Sequence, residues 1–294
     1  MEGPFIFQDK ERFLEDFITR GLREDVGNGD HTSLACIPAD ATDKAKLLVK
    51  DPGVIAGIEV AKRIIERVDP KASFVQHIED GTAVSYGDIA FEVTCNSQAL
   101  LQAERLLLNT MQRMSGIASL SNRFLFEIED LPVKILDTRK TTPQLRYLEK
   151  WAVRLGGCTN YRDGLYDWIM IKDNHIDASG GITQAIEQTQ RYLKDNKLEL
   201  GITVEVRNLV ELHEVLSVGK ITRIMLDNFE IPLLKEAVAT INGRFETEAS
   251  GGINIHNVRK VAACGVDYIS VGALTHSATS LDMSLKVVKE VTVS

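Results

Sequence analysis

Six short apolar runs in the second half of the chain each end abruptly in charged residues or in glycine. The runs are Val133–Leu136, Trp168–Ile171, Ile202–Val206, Ile224–Leu226, Phe245–Ala249 and Tyr268–Val271. Strands that alternate with helical windows predict a parallel sheet with right-handed crossovers, either open or closed into a barrel. In a (β/α) barrel the chemistry lies at the carboxyl ends of the strands, which is where this chain places its charges.

The connection after the first run carries clear helix signals. Thr142 can supply an N-cap oxygen, and Pro143 suits the first helical position because its missing N–H costs nothing there. An apolar stripe then continues to Leu155, and Gly156-Gly157 permit a left-handed residue at the end of the helix. Further helices are predicted at Leu209–Val218, Pro232–Ile241 and Asn257–Ala263.

The first part of the chain has the pattern of an α+β domain. It predicts helices at Lys10–Leu22, Ile58–Val68 and, with an interruption near Ser115-Gly116, Gln98–Ile128, and strands at Ala45–Val49, Phe74–Ile78 and Ile89–Cys95. We therefore expect an N-terminal α+β domain at residues 1–114 and a barrel domain at residues 115–294, with final residues that can pack back on the first domain.

Composition limits the class of protein. The 294 residues suffice for two domains of about 150 residues each, and a content of 44% hydrophobic and 26% charged residues is typical of a soluble globular protein. No apolar run reaches the ~20 residues that span a bilayer, and no secretory signal is visible, so we expect a cytoplasmic protein. The 4 cysteines form no C-x-x-C pair, which favours reduced thiols. A net charge of −8 argues against general nucleic-acid binding.

Cations cluster at the predicted active face despite this acidic balance. Arg139 and Lys140 end the first barrel strand and Lys172 ends the second, with Arg162 between them and Arg105 a further candidate. Taken singly, each is better explained as a solvated surface charge or part of a salt bridge. Together they favour a ligand with several negative charges, because Arg grips carboxylates and phosphates bidentately and Lys supplies a compact charge.

Two acids and two glycine turns complete the predicted face. Glu205 and Asp227 end the next two strands, where they can pair with the lysines or can hold a ribose, a magnesium ion or a developing positive charge. Ser250-Gly251 and Gly272 follow the last two strands, and such loops commonly cradle a phosphate with backbone N–H groups. His276 lies just beyond and could donate to that phosphate, although a lone histidine is more often structural.

Two other functions are compatible with these residues. A Schiff-base aldolase could use Lys172 or Lys140 as its nucleophile on the same kind of barrel. A non-catalytic phosphate-binding barrel would keep the glycine turns, but it would not need paired acids opposite the cations. The histidines include no H-E-x-x-H pair, so a dedicated transition-metal site is not expected.

Ordered segments along the whole chain resemble the quinolinate phosphoribosyltransferase family. They are EDVGNGDHTS (24–33), ERLLLN (104–109), SGIAS (115–119), DTRKTTPQLR (137–146), MIKDNH (170–175), VEVRNL (204–209), LDNF (226–229), EASGGI (248–253) and VGALTHS (271–277). The resemblance implies an α/β fold with an N-terminal α+β sandwich domain and an incomplete (β/α) barrel of about six parallel strands. It also implies a homodimer or higher homo-oligomer with shared active sites. The activity implied is transfer of phosphoribosyl from phosphoribosyl pyrophosphate to quinolinate with decarboxylation.

The resemblance implies a role for each candidate residue. Quinolinate is bound by Arg139, Tyr161, Arg162 and Lys172, together with Arg105 from the neighbouring subunit. Phosphoribosyl pyrophosphate is bound by Lys140, Glu205, Asp227, Ser250, Gly251, Gly272 and His276, with Lys140, Glu205 and Asp227 as the catalytic residues. Mg²⁺ is the implied cofactor, held by Glu205 and Asp227 mostly through the pyrophosphate.

One position departs from the pattern of the family. Tyr161 stands where an imidazole is expected, directly before Arg162. A phenol can donate a hydrogen bond, but it cannot supply a charge. Within the family, a relative that acts on nicotinate or serves molybdenum transport is the nearest alternative.

Overall fold

The computed structural model describes residues 9–288, which form two compact units. Within the described residues, the first unit comprises 9–120, 147–156 and 278–288, and the second comprises 121–146 and 157–277. The domain boundary predicted after residue 114 lies inside a long helix of the structure and stays a prediction. Residues 289–294 of the predicted second domain lie outside the described residues.

An antiparallel sheet organises the first unit. Its order is β12-β1-β5-β3, so a strand from the end of the described chain pairs with the first strand. The strands of this unit are β1 Thr42–Val49, β2 Gly53–Val54, β3 Ser73–Gln76, β4 Ala83–Val84, β5 Ile89–Asn96 and β12 Met283–Val287. The helices are α1 Lys10–Val26, α2 His31–Cys36, α3 Ile58–Val68, α4 Ser97–Phe126, whose last residues belong to the second unit, and α5 Arg146–Leu155, whose first residue belongs to the second unit.

A sheet of six parallel strands organises the second unit, in the order β6-β11-β10-β9-β8-β7. The strands are β6 Lys134–Leu136, β7 Ile169–Ile171, β8 Ile202–Val206, β9 Arg223–Asp227, β10 Glu246–Ser250 and β11 Tyr268–Ser270. The helices are α6 Asp173–Ser179, α7 Ile182–Asn196, α8 Leu209–Val218, α9 Ile231–Ile241, α10 Val258–Ala262 and α11 Ala273–His276. No ladder joins β6 to β7 in the described chain, so the predicted incomplete barrel of about six strands is confirmed.

Apolar residues without exposed surface form the core of this sheet. Val204, Ile224 and Leu226 are each 0% exposed, which is expected of parallel strands covered on both faces. The carboxyl ends of all six strands point the same way, because every neighbouring pair in the sheet is parallel. Residues that follow these strands are therefore brought to one face. Within residues 9–288, no helix is both long and apolar enough to cross a membrane.

The interruption predicted near Ser115-Gly116 is wrong, because α4 continues from Ser97 to Phe126 without a break. Ser115 Oγ instead donates to the carbonyl of Ala56 and accepts from its N–H, at 3.1 and 2.9 Å. A Cβ at Gly116 would clash with the carbonyl oxygen of Thr279. Glycine is needed here for a close approach between two backbones, and it does not end the helix.

The predicted start of α5 at Thr142-Pro143 is also wrong, because the helix begins at Arg146. Gln144 has a φ of 66°, a left-handed conformation that a right-handed helix excludes. The segment forms a turn closed by the Leu145 N–H, which donates to the Thr142 carbonyl at 3.1 Å. The end of the helix is as predicted, since Gly157 follows it with a φ of 90°.

Candidate active site

One cavity of about 690 Å³ lies at the carboxyl ends of the parallel strands. Its lining combines cations, carboxylates and glycine turns from all six strand ends. The lining residues are Thr138, Arg139, Lys140, Tyr161, Arg162, Met170, Lys172, Glu205, Met225, Asp227, Asn228, Ser250, Gly251, Gly252, Ile253, Ser270, Gly272, Ala273 and His276. Every residue predicted for the site is among them except Arg105.

Four cations are among the residues that line this cavity. Arg139 and Lys140 are exposed in the loop after β6, Lys172 directly follows β7, and Arg162 is half-buried in the preceding loop. Burial lowers the pKa of Arg162, and the nearby charge of Arg139 lowers it further. Two guanidinium groups that repel each other favour an anion bound between them.

Lys172 and Glu205 form a salt bridge in the lining of this cavity, which we call the rim pair. Lys172 Nζ lies 2.9 Å from Glu205 Oε2, with the lysine side chain 42% exposed and the glutamate side chain 11% exposed. The pair joins the ends of two neighbouring strands, β7 and β8. An ion pair that remains open to solvent is weak, so its partners can separate to bind other groups.

Asp227 lies at the end of β9, beside Asn228. Asn228 Nδ2 donates to Asp227 Oδ2 at 2.7 Å, and Asn228 adopts a left-handed φ of 55°. Its backbone N–H also donates to the carbonyl of Ser250 at 2.8 Å. This turn therefore connects the carboxylate of Asp227 to the glycine turn of the next strand.

The two predicted glycine turns are both tightly packed. Gly251 has a φ of 94°, and a Cβ there would clash with Asn228. A Cβ on Gly272 would lie 3.0 Å from Cδ of Lys140 and 3.2 Å from the ring of His276. Larger residues at either position would narrow the cavity, so both glycines keep backbone accessible to a ligand.

Arg146 holds together the two loops that carry the cations. Its guanidinium donates to Thr141 Oγ1 at 3.0 Å, to the carbonyl of Asp163 at 2.9 Å and to the carbonyl of Arg139 at 3.3 Å. The side chain does not line the cavity. The sequence prediction did not assign Arg146 to the site, although the matching segment DTRKTTPQLR ends at this residue.

Asp137 connects the same two loops from the end of β6. The residue is 0% exposed, and its Oδ1 accepts from the backbone N–H of Tyr161 at 2.8 Å. Its Oδ2 accepts from the side chain of Asn160. Asp137 was also not predicted as a site residue, because a buried carboxylate cannot be told from a solvated one in the sequence.

A polar network fills the barrel interior next to Tyr161. Arg223, at the start of β9, lies 3.2 Å from Glu248 and 2.9 Å from Glu246, with side chains that are 7%, 0% and 41% exposed in that order. The guanidinium also lies 3.8 Å from the ring centre of Tyr268 and 5.0 Å from that of Tyr161. Both distances are within the range of cation–π contacts.

We define the inner network as Tyr161, Thr203, Arg223, Glu248 and Ser270. Tyr161 and Ser270 line the cavity, and every member except Tyr161 is buried. The hydroxyls of Tyr161 and Thr203 are 2.6 Å apart, and Ser270 Oγ donates to Glu248 Oε1. Burial raises the pKa of Glu248, an effect that Ser270, Arg223 and Tyr161 oppose. The network thus connects two residues of the cavity lining to polar side chains that are buried inside the barrel.

Arg105 is the predicted site residue that the structure does not bring to the cavity. It lies on α4 in the first unit and is exposed. Its predicted role requires a second subunit, so this position is compatible with the prediction without testing it.

Two family models together match most of the chain. The model "Quinolinate phosphoribosyl transferase, N-terminal domain" matches residues 30–115, and the model of the C-terminal domain matches residues 117–286. The chain is 46% identical over 289 residues to "Quinolinate phosphoribosyltransferase [decarboxylating] 1b" of Nicotiana tabacum, covering 93% of this chain and 82% of the relative. It is 47% identical to "Nicotinate-nucleotide pyrophosphorylase [carboxylating], chloroplastic" of Arabidopsis thaliana, with the same coverage.

Solved structures agree with these matches. The nicotinate-nucleotide pyrophosphorylase from Francisella tularensis has a TM-score of 0.90 and 32% identity, and covers 98% of this chain and 100% of its own. NadC from Streptococcus pyogenes has a TM-score of 0.88 and 36% identity with the same coverage.

Proposed function

The chain belongs to the quinolinate phosphoribosyltransferase family, and we propose that the cavity of its second unit is where the reaction of this family takes place. The enzyme transfers the phosphoribosyl group of phosphoribosyl pyrophosphate to quinolinate with decarboxylation, in NAD biosynthesis. Its products are nicotinate mononucleotide, pyrophosphate and carbon dioxide. The observation that best supports this location is the meeting of four cations, two carboxylates and two glycine turns in one cavity of about 690 Å³.

In this proposal, Arg139, Arg162 and Lys172 bind the two carboxylates of quinolinate. Arg139 and Arg162 are close enough for the charge of one to lower the pKa of the other, and an anion between them would relieve this repulsion. Lys172 leaves Glu205 when the substrate enters, since their contact is open to solvent. Tyr161 lies beside Arg162 and forms part of the wall against the pyridine ring.

Phosphoribosyl pyrophosphate occupies the opposite side of the cavity. Ser250, Gly251 and Gly272 offer hydroxyl and backbone N–H groups to the 5-phosphate, and His276 is exposed nearby. Lys140 bridges the two substrates, because its side chain packs against Gly272 while its neighbour Arg139 faces quinolinate. Thr275 Oγ1 donates to the carbonyl of Lys140 at 2.8 Å and so fixes the position of this loop.

Glu205 and Asp227 would hold the ribose hydroxyls and, together with the pyrophosphate, a magnesium ion. The described residues contain no group of three or more His, Cys, Asp or Glu side chains arranged to hold a metal. Two carboxylates alone fit Mg²⁺, which is usually bound through one or two carboxylates together with substrate phosphates. When bound, Mg²⁺ would supply positive charge to the departing pyrophosphate.

The reaction begins when the quinolinate nitrogen forms a bond to the anomeric carbon and the bond from that carbon to pyrophosphate breaks. The carboxylates of Glu205 and Asp227 stabilise the positive charge that grows on the ribose. The carbon–carbon bond to the adjacent carboxylate then breaks, and the electron pair remains on the ring beside the quaternised nitrogen. A proton from solvent completes the product, so the protein mainly positions and desolvates its substrates.

Release of carbon dioxide from carboxyl-labelled quinolinate tests this function. The wild-type enzyme should release label only when phosphoribosyl pyrophosphate is present, and nicotinate should give no nucleotide under the same conditions. Arg139→Gln should raise the KM for quinolinate about tenfold or more, because a charge-assisted contact is lost. Turnover of nicotinate at the rate of quinolinate would contradict the assigned substrate.

A homo-oligomer with shared sites would explain the exposed position of Arg105. Arg105→Ala and Lys140→Ala should each be nearly inactive, yet a mixed dimer should contain one site with both residues intact. Co-expression with two affinity tags isolates this heterodimer, which should recover about half of the wild-type activity, as a two-fold interface requires. A heterodimer as inactive as its parents would exclude the shared site.

A further inference from the structure

The hydroxyl of Tyr161 contacts residues inside the barrel, although the sequence predicted Tyr161 as a residue that binds quinolinate. It lies 2.6 Å from the hydroxyl of Thr203. Burial raises the pKa of Tyr161, and the neighbouring carboxylate of Glu248 raises it further. Thr203 and Glu248 are each 0% exposed. The polar atom of Tyr161 is thus engaged inside the barrel, while the residue still lines the cavity.

The proton on each hydroxyl can be assigned from the partners. Glu248 accepts from Ser270 Oγ and from the guanidinium of Arg223, which cannot accept. An ionised carboxylate satisfies both, and it attracts the single proton of the neighbouring Tyr161. Thr203 must then donate to Tyr161, and its remaining acceptor capacity is used by the indole Nε1 of Trp168 at 2.8 Å.

Ser270 follows the same rule on the neighbouring strand. Ser270 lines the cavity, and its hydroxyl donates to Oε1 of Glu248. Tyr161 and Ser270, the two hydroxyl residues of the cavity lining that neighbour Glu248, therefore both direct their protons into the barrel. A hydroxyl oxygen without an available proton can only accept, and it repels a carboxylate.

We propose that Glu248 is a positioning residue for the quinolinate half of the site. It accepts hydrogen bonds from Tyr161 and Ser270 and so fixes the Tyr161 ring against the substrate. This inference rests on the proposed function. The carboxylates of the substrate are then recognised by the cations alone, and Tyr161 contributes its ring. The guanidinium of Arg223 lies 5.0 Å from the centre of the Tyr161 ring, and it also pairs with Glu248.

Steady-state kinetics with both substrates tests the role of the Tyr161 hydroxyl. Tyr161→Phe keeps the ring, so the KM for quinolinate should rise by less than about threefold. Tyr161→Leu removes the ring, and the KM should rise by about tenfold or more. A tenfold rise in Tyr161→Phe, with the KM for phosphoribosyl pyrophosphate unchanged, would overturn the proposal because the hydroxyl would then contact quinolinate.

Glu248→Gln tests the positioning role itself. An amide brings a donor of its own and cannot satisfy three donors, so the KM for quinolinate should rise about tenfold while that for phosphoribosyl pyrophosphate stays within about twofold. If Glu248 acts through Tyr161, the same substitution should cost only about threefold in a Tyr161→Phe background. Equal costs in the two backgrounds, or an equal rise in both KM values, would overturn the proposal.

Glu246→Gln is the matched control, because Glu246 pairs with the same guanidinium but is 41% exposed. Its KM for quinolinate should stay within about twofold of the wild-type value. Should Glu248→Gln fail to fold, Thr203→Val is the substitute test and should raise the KM for quinolinate. Thr203→Ser keeps the hydroxyl and should restore the wild-type KM. An unchanged KM in Thr203→Val would contradict the proposal. Turnover by the wild-type enzyme tests the proposed function separately. Calorimetric titration with quinolinate gives the ratio of variant to wild-type Kd, which should match the KM ratio and does not depend on turnover.

Discussion

Two carboxylate–cation pairs in the second unit have opposite surroundings. In the rim pair, Lys172 and Glu205 lie 2.9 Å apart with side chains 42% and 11% exposed. In the inner pair, Arg223 and Glu248 lie 3.2 Å apart with side chains 7% and 0% exposed. The rim pair borders the open cavity, whereas the guanidinium of the inner pair lies within 5.5 Å of the ring centres of Tyr161, Trp168 and Tyr268.

The difference in exposure separates two uses of charge. Surface pairs contribute about 0–1 kcal/mol, and a pair whose lysine is open to solvent is closer to them than a fully buried pair is, so Lys172 can exchange Glu205 for a substrate carboxylate at little cost. Removing one member of a buried pair leaves an uncompensated charge and costs about 3–5 kcal/mol. The rim therefore serves ligand binding, and the interior keeps a fixed arrangement.

The largest effect is expected from Arg223→Met, which leaves Glu248 buried without its cation. The free energy of unfolding should fall by about 3–5 kcal/mol. Urea unfolding followed by circular dichroism measures this change. A loss below about 1 kcal/mol would show that the inner pair behaves like a surface pair, and the comparison would fail.

The next largest effect is expected from Lys172→Ala and Lys140→Ala, measured as activity. Each should lower kcat/KM about 100-fold, because a charge that faces the substrates is removed. The free energy of unfolding should change by less than about 1 kcal/mol, since Lys140 is exposed and the Lys172 side chain is 42% exposed, so neither belongs to the core. Near-normal turnover in either variant would refute its assigned role.

A smaller effect is expected from Arg146→Gln, which weakens the connection between the two cation-bearing loops. The KM for quinolinate should rise about tenfold, because Arg139 and Arg162 lose their fixed spacing. Arg191→Gln is a suitable control, since Arg191 is an exposed arginine on α7. An equal change in both variants would show that the loops do not depend on Arg146.

The smallest effect is expected from Glu246→Gln, the exposed partner of the buried guanidinium. The free energy of unfolding should fall by less than about 1 kcal/mol, although the distance to Arg223 is 2.9 Å. Thermal unfolding of this variant beside Glu248→Gln compares two carboxylates on one arginine. Similar losses in both would show that burial does not set the cost.

The sequence predicted the charged residues that line the cavity, because charges that follow apolar runs must meet at one edge of a parallel sheet. Lys172, Glu205 and Asp227 were found in this way, and the cavity brings them together. The six-stranded sheet was predictable for the same reason, since its apolar runs are short and alternate with helical windows. Their individual roles in substrate binding stay predictions.

The inner network could not be predicted in this way. Arg223 and Glu248 lie within their strands, and a charged residue there does not reveal whether it faces the core or the solvent. The pairing also depends on the register of β9 and β10, which places Arg223 opposite Glu246, the residue two before Glu248 in its strand. Gly116 misled the prediction similarly, because a glycine needed for close packing resembles one that ends a helix.

The central claim is tested most directly by urea unfolding of the wild type, Lys172→Met and Arg223→Met, with and without quinolinate at about 100 times its Kd for the wild type. Quinolinate should add about 2.7 kcal/mol to the stability of the wild type. Lys172→Met should keep the stability of the free enzyme and lose most of this increment, whereas Arg223→Met should lose about 3–5 kcal/mol already without ligand. A Lys172→Met enzyme that is strongly destabilised without ligand but keeps the full increment would contradict the account.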